Sequence, residues 1–157
     1  MSDRSVPGNS NPADGGCAGP LRTETQSIES AAEPDAVVVF LADPRHIPDW
    51  APAFADEVTG DAPSGWRAIK DGRGFPLRVP VSEDARTVDY LREIGPGREG
   101  GAFLRALPRP GGGTVIVMTL PLLPDVDPSD TATTLADELR ALAALLAQQV
   151  SIQAACG

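Results

Sequence analysis

The C-terminal stretch DPSDTATTLADELRALAALLAQQVSIQ, residues 127–153, constrains the fold of this chain most strongly. Five apolar side chains recur in it at steps of four, three, four and four: Leu135, Leu139, Leu142, Leu146 and Val150. This spacing places them on one face of an α-helix. Asp127 is typical of an N-cap and Pro128 of the first helical position. The sequence therefore predicts a long amphipathic helix whose leucine face is buried by another layer of structure.

The middle of the chain predicts that layer. Six stretches with strand character are separated by Gly, Pro, Asp and Ser: FADEVTGD, GWRAIKD, FPLRVPVSED, RTVDYLREIG, GGAFLRALPRPG and GTVIVMTLPLL. The breaks DAPSG, DGRG and RPGGG are typical of turns. Strands this close together, joined by short turns, predict an antiparallel meander.

The N-terminal region divides into a tail and a first strand. Residues 1–21 are rich in Gly, Pro, Ser, Asn and Asp and lack a hydrophobic period, which predicts a disordered tail. TETQSIESA, residues 23–31, is predicted to be the first strand. We expect one folded domain over residues 22–151, followed by a short tail at residues 152–157.

Two short helices are predicted between the first strand and the meander. EPDAVVVFLADP fits a helix that begins at Pro34, although its three successive valines also fit a strand. Asp43 resembles an N-cap with Pro44 at the first position of a second helical turn, which continues through RHI and ends at Pro48. The resulting fold class is α+β, in which a curved antiparallel sheet of about seven strands wraps the C-terminal helix.

The charge of the chain bears on its partners and location. The 157 residues carry a formal net charge of -9, and the arginines are spread along the chain. This argues against nucleic acid or an anionic membrane surface as the main partner, because both require clustered Lys and Arg. No stretch approaches the ~18 apolar residues of a membrane span. We therefore expect a cytoplasmic protein, with Cys17 and Cys156 as free thiols.

The chain resembles the bacterial SRPBCC proteins, the START-like superfamily with the helix-grip fold, over about Thr23 to Gln149. The stretches that carry the resemblance are AVVVFLADP, IPDWAPAFADEV, GWRA, RTVDYL, AFLRALPRPGGGTVIVMTL and LADELRALAALL, in this order. Within the superfamily it is most similar to small bacterial proteins labelled polyketide cyclase or dehydratase. The resemblance implies a cavity between the sheet and the C-terminal helix that accepts a hydrophobic or amphipathic small molecule, and it does not imply a reaction. We expect a monomer or homodimer without a cofactor.

Polar residues on three predicted neighbouring strands are the first candidates for chemistry. Alternation puts Asp89 on one face with Leu91, Arg105 with Phe103, and Thr119 with two valines. If these faces point inward, Asp89, Arg105 and Thr119 form a polar cluster in which Arg105 can polarise a carbonyl group. The alternative is a cross-strand pair on the solvated face. In the opposite register, Tyr90 and Arg92 replace them.

The stretch RHIPDWAPAFADEV holds the only histidine, His46, which is a candidate general acid or base because it titrates near neutral pH. A histidine on a short helix beside proline is also a common surface residue. Trp50 and Phe54 are expected to line or plug the cavity mouth. The remaining ligand contacts are expected from Trp66, Phe103, Leu139 and Leu142.

No His, Cys and carboxylate set has the spacing of a metal site, and PGGGT reads as a hairpin rather than a nucleotide-binding loop. Three functions stay open. A cavity with inward polar groups favours a cofactor-independent cyclase, dehydratase or isomerase. A wholly apolar cavity favours a carrier or sensor, and a filled core with an exposed apolar patch favours a protein-interaction module.

Overall fold

A computed structural model describes residues 22–157, in which eight antiparallel strands form two sheets. The strands are β1 (Arg22–Ser30), β2 (Glu57–Asp61), β3 (Gly65–Lys70), β4 (Arg73–Leu77), β5 (Val81–Ser82), β6 (Thr87–Gly95), β7 (Arg98–Pro108) and β8 (Thr114–Leu122). The larger sheet has the order β1-β8-β7-β6-β5 and the smaller one the order β2-β3-β4. An isolated bridge between Arg78 and Leu91 connects the end of β4 with β6. The predicted tail at residues 1–21 lies outside the described residues.

Three helices complete the fold: α1 (Pro34–Ala42), α2 (Ile47–Trp50) and α3 (Pro128–Ala155). A single 3-10 turn, Pro44–His46, joins α1 to α2. The Asp43 side chain accepts a hydrogen bond from the backbone N–H of Arg45, which confirms the predicted N-cap. At the start of α3 the Asp127 side chain accepts a hydrogen bond from the backbone N–H of Ser129.

The larger sheet and α3 enclose the core, as the helix-grip prediction requires. Leu135, Leu139, Leu142 and Leu146 are at most 2% exposed, and they belong to one cluster with Ile116 and other inward residues of the sheet. The predicted leucine face is therefore confirmed over about three turns. Val150, the last member of the pattern, is 37% exposed. The helix runs through Ala155, so the tail predicted from residue 152 begins inside it.

Two further predicted boundaries were wrong, and both involve a proline. The stretch FPLRVPVSED was predicted to be one strand, but it contributes to two, β4 and β5, which residues 78–80 separate. Pro80 has no N–H to donate to a sheet. Pro48 does not end the helical segment, because α2 begins at Ile47 and Pro48 occupies its first turn, where the missing N–H is tolerated.

Candidate functional site

A cavity of about 450 Å³ lies between the larger sheet, α2 and the N-terminal half of α3. Its apolar wall is formed by side chains from these elements and from the segment after α2: Ile47, Trp50, Phe54, Tyr90, Met118 and Leu135. It is open to solvent on one side, where Lys70, Asp71, Arg92 and Asp130 border it. This volume falls within the range of roughly 300–1,000 Å³ that is typical of small-molecule sites.

Aromatic rings dominate one side of the cavity. The ring centroids of Trp50 and Tyr90 are 6.1 Å apart, and those of Phe54 and Tyr90 are 6.5 Å apart. Phe54 also meets Phe75 edge to face at 5.9 Å. Offset and tilted rings at such distances attract each other, and their faces suit a flat, apolar ligand. Trp50 and Phe54, which were expected at the cavity mouth, both line the cavity.

The hydroxyl of Tyr90 is already engaged inside the protein. It donates a hydrogen bond of 2.6 Å to the backbone carbonyl of Leu41. Burial raises the pKa of the Tyr90 hydroxyl well above its ordinary value. Tyr90 therefore offers its ring to the cavity, while its hydroxyl fixes α1 against β6.

Glu138 is the buried acidic residue among those that line the cavity. This residue is 9% exposed and lies on the leucine face of α3, three residues after Leu135 and four before Leu142. No hydrogen bond to its side chain is present within residues 22–157. Burial raises the pKa of Glu138 to about 7, because the apolar wall disfavours the charged form. A carboxyl group of this kind can exchange protons at neutral pH.

The mouth of the cavity carries a cation that stacks on aromatic rings. The guanidinium of Arg92 lies 5.0 Å from the ring centroid of Phe75 and 5.7 Å from that of Phe54. Arg92 forms no ion pair within the described part of the chain. Lys70 is different, because its ammonium pairs with Asp56 at 2.8 Å and donates to the carbonyl of Pro52.

The prediction that Asp89, Arg105 and Thr119 face the cavity is wrong. In β6 the buried residues are Val88 and Tyr90, so Asp89 between them points to the outer face. Arg105 stands opposite Thr87 and Val117, which also lie on that face. The hydroxyl of Thr119 shares a hydrogen bond of 2.9 Å with that of Thr25.

Asp89 and Arg105 are nevertheless close to each other. Burial raises the pKa of Asp89, while the charge of Arg105 acts in the opposite direction. They lie on the outer face, as in the alternative interpretation, but the register pairs Asp89 with Phe103 and Arg105 with Thr87, so the two residues are diagonal neighbours rather than a direct cross-strand pair. Phe103, another predicted ligand contact, is 38% exposed on the same outer face. Neither Asp89, Arg105, Phe103 nor Thr119 lines the cavity.

Four further predicted site residues, His46, Trp66, Leu139 and Leu142, also do not line the cavity. His46 stacks on Phe40, with ring centroids 4.3 Å apart and planes 9° apart. Trp66 lies beneath the guanidinium of Arg45, 5.8 Å from the ring centroid. Leu139 and Leu142 are fully buried in the closed part of the core. Of the predicted ligand contacts, Trp50, Phe54 and Tyr90 line the cavity.

Glu138 was not among the predicted site residues, although its position in the sequence indicates a buried location. The leucine pattern places position 138 on the buried face of α3, where a glutamate interrupts an apolar stripe. The structure adopts the alternative facing of β6, in which Tyr90 and Arg92 lie on the cavity side in place of Asp89. Within residues 22–157, no group of three or more His, Cys, Asp or Glu has the arrangement of a metal site. In the same residues, no helix has the length and apolar character needed to cross a membrane.

No protein-family model matches this sequence, and a search of curated proteins finds no sequence match. Solved structures do match the fold. The aromatase/cyclase Zhui from Streptomyces sp. R1128 aligns with a TM-score of 0.58 and 16% identity, over 83% of this chain and 96% of that one. The di-domain aromatase/cyclase BexL, from the BE-7585A biosynthetic pathway, aligns with a TM-score of 0.57 and 20% identity, over 78% of this chain and 45% of that one.

The Aha1 dimer from Colwellia psychrerythraea aligns with a TM-score of 0.61 and 16% identity, over 80% of this chain and 96% of that one. These neighbours confirm the predicted helix-grip fold. At such identities they show the fold alone, and they include proteins of different function.

Proposed function

We propose that this protein binds a hydrophobic or amphipathic small molecule in the cavity between the sheet and α3, and that Glu138 exchanges protons with it. The reaction class is a cofactor-independent cyclisation or dehydration of a polyketide-like substrate. The observation that carries the proposal is a buried, protonatable carboxyl group among the aromatic and aliphatic side chains of the cavity, whose other charged residues lie at the exposed mouth. The aromatase/cyclases among the structural neighbours support the same class of chemistry.

The walls of the cavity select the shape of the ligand. Trp50, Phe54 and Tyr90 present ring faces on one side, while Met118 and Leu135 supply flexible aliphatic contacts. Burying apolar surface here contributes roughly 25 cal/mol per Å² of area removed from water. A planar, conjugated molecule gains the most from such walls, because it stacks on the rings with little loss of conformational freedom.

The chemistry follows from the pKa of Glu138. A carboxyl group with a pKa near 7 is present in both forms at neutral pH. Its ionised form can remove a proton from a carbon beside a carbonyl group, which leaves an enolate. That enolate attacks a second carbonyl carbon to close a ring, and the protonated carboxyl returns the proton to the new alkoxide. Loss of water from the resulting aldol gives the conjugated product.

The competing function is that of a carrier, and one observation favours it. Glu138 has no hydrogen-bonding partner that would orient it, and the hydroxyl of Tyr90 is committed to Leu41. Efficient acid–base sites usually hold their groups in place by such contacts. A protein-interaction module is less well supported, because the core leaves an open cavity of about 450 Å³ rather than being filled.

Hydrogen exchange on a simple ketone separates the enzyme from the carrier. 2-Acetonaphthone fits the proposed ligand class, and its methyl protons exchange with D₂O only when an enolate forms. We expect the protein to accelerate this exchange, as measured by proton NMR at pD 7. Glu138→Gln should abolish the acceleration while binding is retained. Glu57→Gln, at an exposed position on β2, is the matched control and should change neither.

The three outcomes have different meanings. Binding with accelerated exchange that depends on Glu138 supports an acid–base enzyme. Binding without acceleration identifies a carrier and contradicts the catalytic part of the proposal. If calorimetry detects no binding of 2-acetonaphthone to the wild-type protein at its solubility limit, the small-molecule cavity itself is refuted as an aromatic ketone site.

A further inference from the structure

A hollow beside the cavity mouth brings basic side chains together in an otherwise acidic protein. It is lined by Lys70, Asp71, Arg73, Phe75 and Arg92. Three of these residues are cationic, although the chain as a whole carries a formal net charge of -9. Lys70, Asp71 and Arg92 also line the cavity, so the hollow continues the cavity outward from its mouth. A ligand that fills the cavity can therefore extend into this hollow.

The hairpin between β3 and β4 places two of these cations side by side. Asp71 and Gly72 form its turn, and both have positive φ, at 49° and 73°. Two such residues in succession are typical of the tight turns that join antiparallel strands. The turn puts Lys70 directly opposite Arg73 in the register of the two strands. Like charges at directly opposed positions destabilise a sheet, and a bound anion would reduce that repulsion.

The nearby carboxylates compensate Lys70 rather than the two arginines. The ammonium of Lys70 pairs with Asp56 at 2.8 Å. This hydrogen bond and, to a smaller extent, the charge of Asp71 raise the pKa of Lys70. Within residues 22–157, Arg73 and Arg92 form no ion pair. The positive charge that lacks a counter-ion in the hollow is therefore that of two guanidinium groups.

Arg92 is held in a position that suits the binding of an anion. Its guanidinium lies 5.0 Å from the ring centroid of Phe75 and 5.7 Å from that of Phe54. These contacts restrict a long side chain before a ligand arrives, which lowers the entropy lost on binding. Neither ring offers an oxygen acceptor, so the N–H donors of the guanidinium stay available. Asp130, an exposed carboxylate at the cavity mouth, does not line the hollow.

We propose that the guanidinium of Arg92, with Arg73 beside it, binds a carboxylate group of the ligand at the cavity mouth, so that the protein selects amphipathic acids over neutral molecules of the same shape. This inference rests on the proposed small-molecule function and names the ligand class within it. The apolar, conjugated part of the ligand lies in the cavity, and the carboxylate stays in the exposed hollow, where it keeps part of its hydration. A carboxylate accepts two parallel N–H bonds from a guanidinium, and this fixes which end of the ligand enters first.

A matched pair of ligands isolates the charge. 6-Acetyl-2-naphthoic acid and its methyl ester share the same aromatic ketone and differ in the charge at the opposite end of the molecule. In calorimetry at pH 7, we expect the wild-type protein to bind the acid about tenfold more tightly than the ester, the effect of about one hydrogen bond to a charged group. In Arg92→Gln this ratio should fall below twofold. Arg109→Gln, which removes the same charge just beyond the far end of β7, is the matched control and should keep the wild-type ratio.

Two further variants separate recognition of the carboxylate from packing. Arg92→Lys keeps the charge but loses the forked geometry, so it should retain part of the preference for the acid. Arg92→Met keeps apolar contact with Phe54 and Phe75 but should lose the preference. A role in packing alone would weaken the acid and the ester equally and leave their ratio unchanged. Higher ionic strength should lower the ratio in the wild type, because salt screens exposed charges.

The outcomes separate this inference from the proposed function. If the wild-type protein binds 2-acetonaphthone but does not prefer the acid to its ester, the inference is overturned and the proposed function stands. A preference for the acid that Arg92→Gln retains shows that Arg92 does not recognise the carboxylate, and it also overturns the inference. If 2-acetonaphthone, the acid and the ester all fail to bind, the proposed function is refuted and the inference falls with it.

Discussion

Replacing Glu138 by glutamine should make the protein more stable at alkaline pH but not at acidic pH. In the folded state the carboxyl group is buried against the cavity wall, and its pKa is raised from 4.5 to about 7. In the unfolded chain the same group is fully hydrated and ionises near its ordinary value. Glutamine has almost the same shape and cannot ionise, so the variant removes the charge and preserves the packing.

The free energy of unfolding depends on pH because the folded and unfolded states bind different numbers of protons. Between about pH 4.5 and pH 7 the folded protein keeps Glu138 protonated while the unfolded chain releases that proton. The folded state then binds more protons, so the free energy of unfolding decreases as the pH rises through this window. Below the window Glu138 is protonated in both states, so no buried charge lowers the free energy of unfolding. Above pH 7 the full cost of burying the charge is present.

The size of the effect is a few kcal/mol. A tenfold change in acidity corresponds to about 1.4 kcal/mol, so a rise in the pKa from 4.5 to about 7 corresponds to roughly 3 kcal/mol. The cavity is open to solvent on one side, which weakens the penalty, and we expect about 2 kcal/mol in practice. The stability difference between Glu138→Gln and wild type should therefore grow by about 2 kcal/mol between pH 4 and pH 8.

Urea denaturation followed by circular dichroism, at pH values from 4 to 8, measures this difference directly. Glu57→Gln is again the control, because it removes a carboxylate from an exposed position. Its stability difference from the wild type should stay nearly constant over the same range. A stability difference for Glu138→Gln that is equally independent of pH would show that the carboxyl group is solvated in the folded state, and would remove the basis for an acid–base role.

Two further substitutions test the placement of the core and of the outer sheet face. Leu139→Asp should prevent folding, because it puts an unpaired charge at a fully buried position of α3 at a cost of several kcal/mol; a soluble variant with the native circular dichroism spectrum would contradict the helix-grip core. Arg105→Ala should lower the free energy of unfolding by less than about 1 kcal/mol and leave the affinity for 2-acetonaphthone unchanged, because Arg105 lies on the outer face with Asp89. A loss of ligand affinity in calorimetry would show that the outer face communicates with the cavity.

The architecture could be predicted because several local signals agreed. The period of the leucines predicted α3, and the Asp-Pro pairs predicted where α3 and the 3-10 turn begin. Short turns between strands left little choice except an antiparallel meander. These features depend on residues that are close together in the sequence, so they can be predicted from one sequence alone.

The facing of the strands could not be predicted in the same way. RTVDYLREI alternates, but both of its faces contain apolar residues, with Leu91 on one and Val88 and Tyr90 on the other. Which face is buried depends on the curvature of the sheet around α3, which no local pattern encodes. A shift of one residue in phase moves every side chain to the opposite face of the sheet. The predicted placements of Asp89 and Arg105 in the cavity therefore failed for the same reason.

The burial of Glu138 was not predicted, because the leucine pattern of α3 was read from its apolar members alone. The leucine face was defined by its apolar members, and a glutamate next to Leu139 reads as part of the solvated side of a helix. Its neighbours at steps of three and four, Leu135 and Leu142, place it instead at the edge of the buried face. A carboxyl group at such a position costs stability, so it marks either a packing defect or a functional site.

The distribution of unfavourable groups favours a functional site. Glu138 is a buried carboxyl group without a partner, and Trp50 is a buried donor without an acceptor. Packing defects would be expected to fall anywhere in the core, yet Trp50 and Glu138 are both lining residues of the same cavity and come from two helices that pack against each other. Sequences that violate the rules of polar burial usually do so where a ligand or substrate satisfies the groups instead. A ligand that offers a hydrogen-bond donor or acceptor to Glu138 in the open cavity would satisfy that carboxyl group.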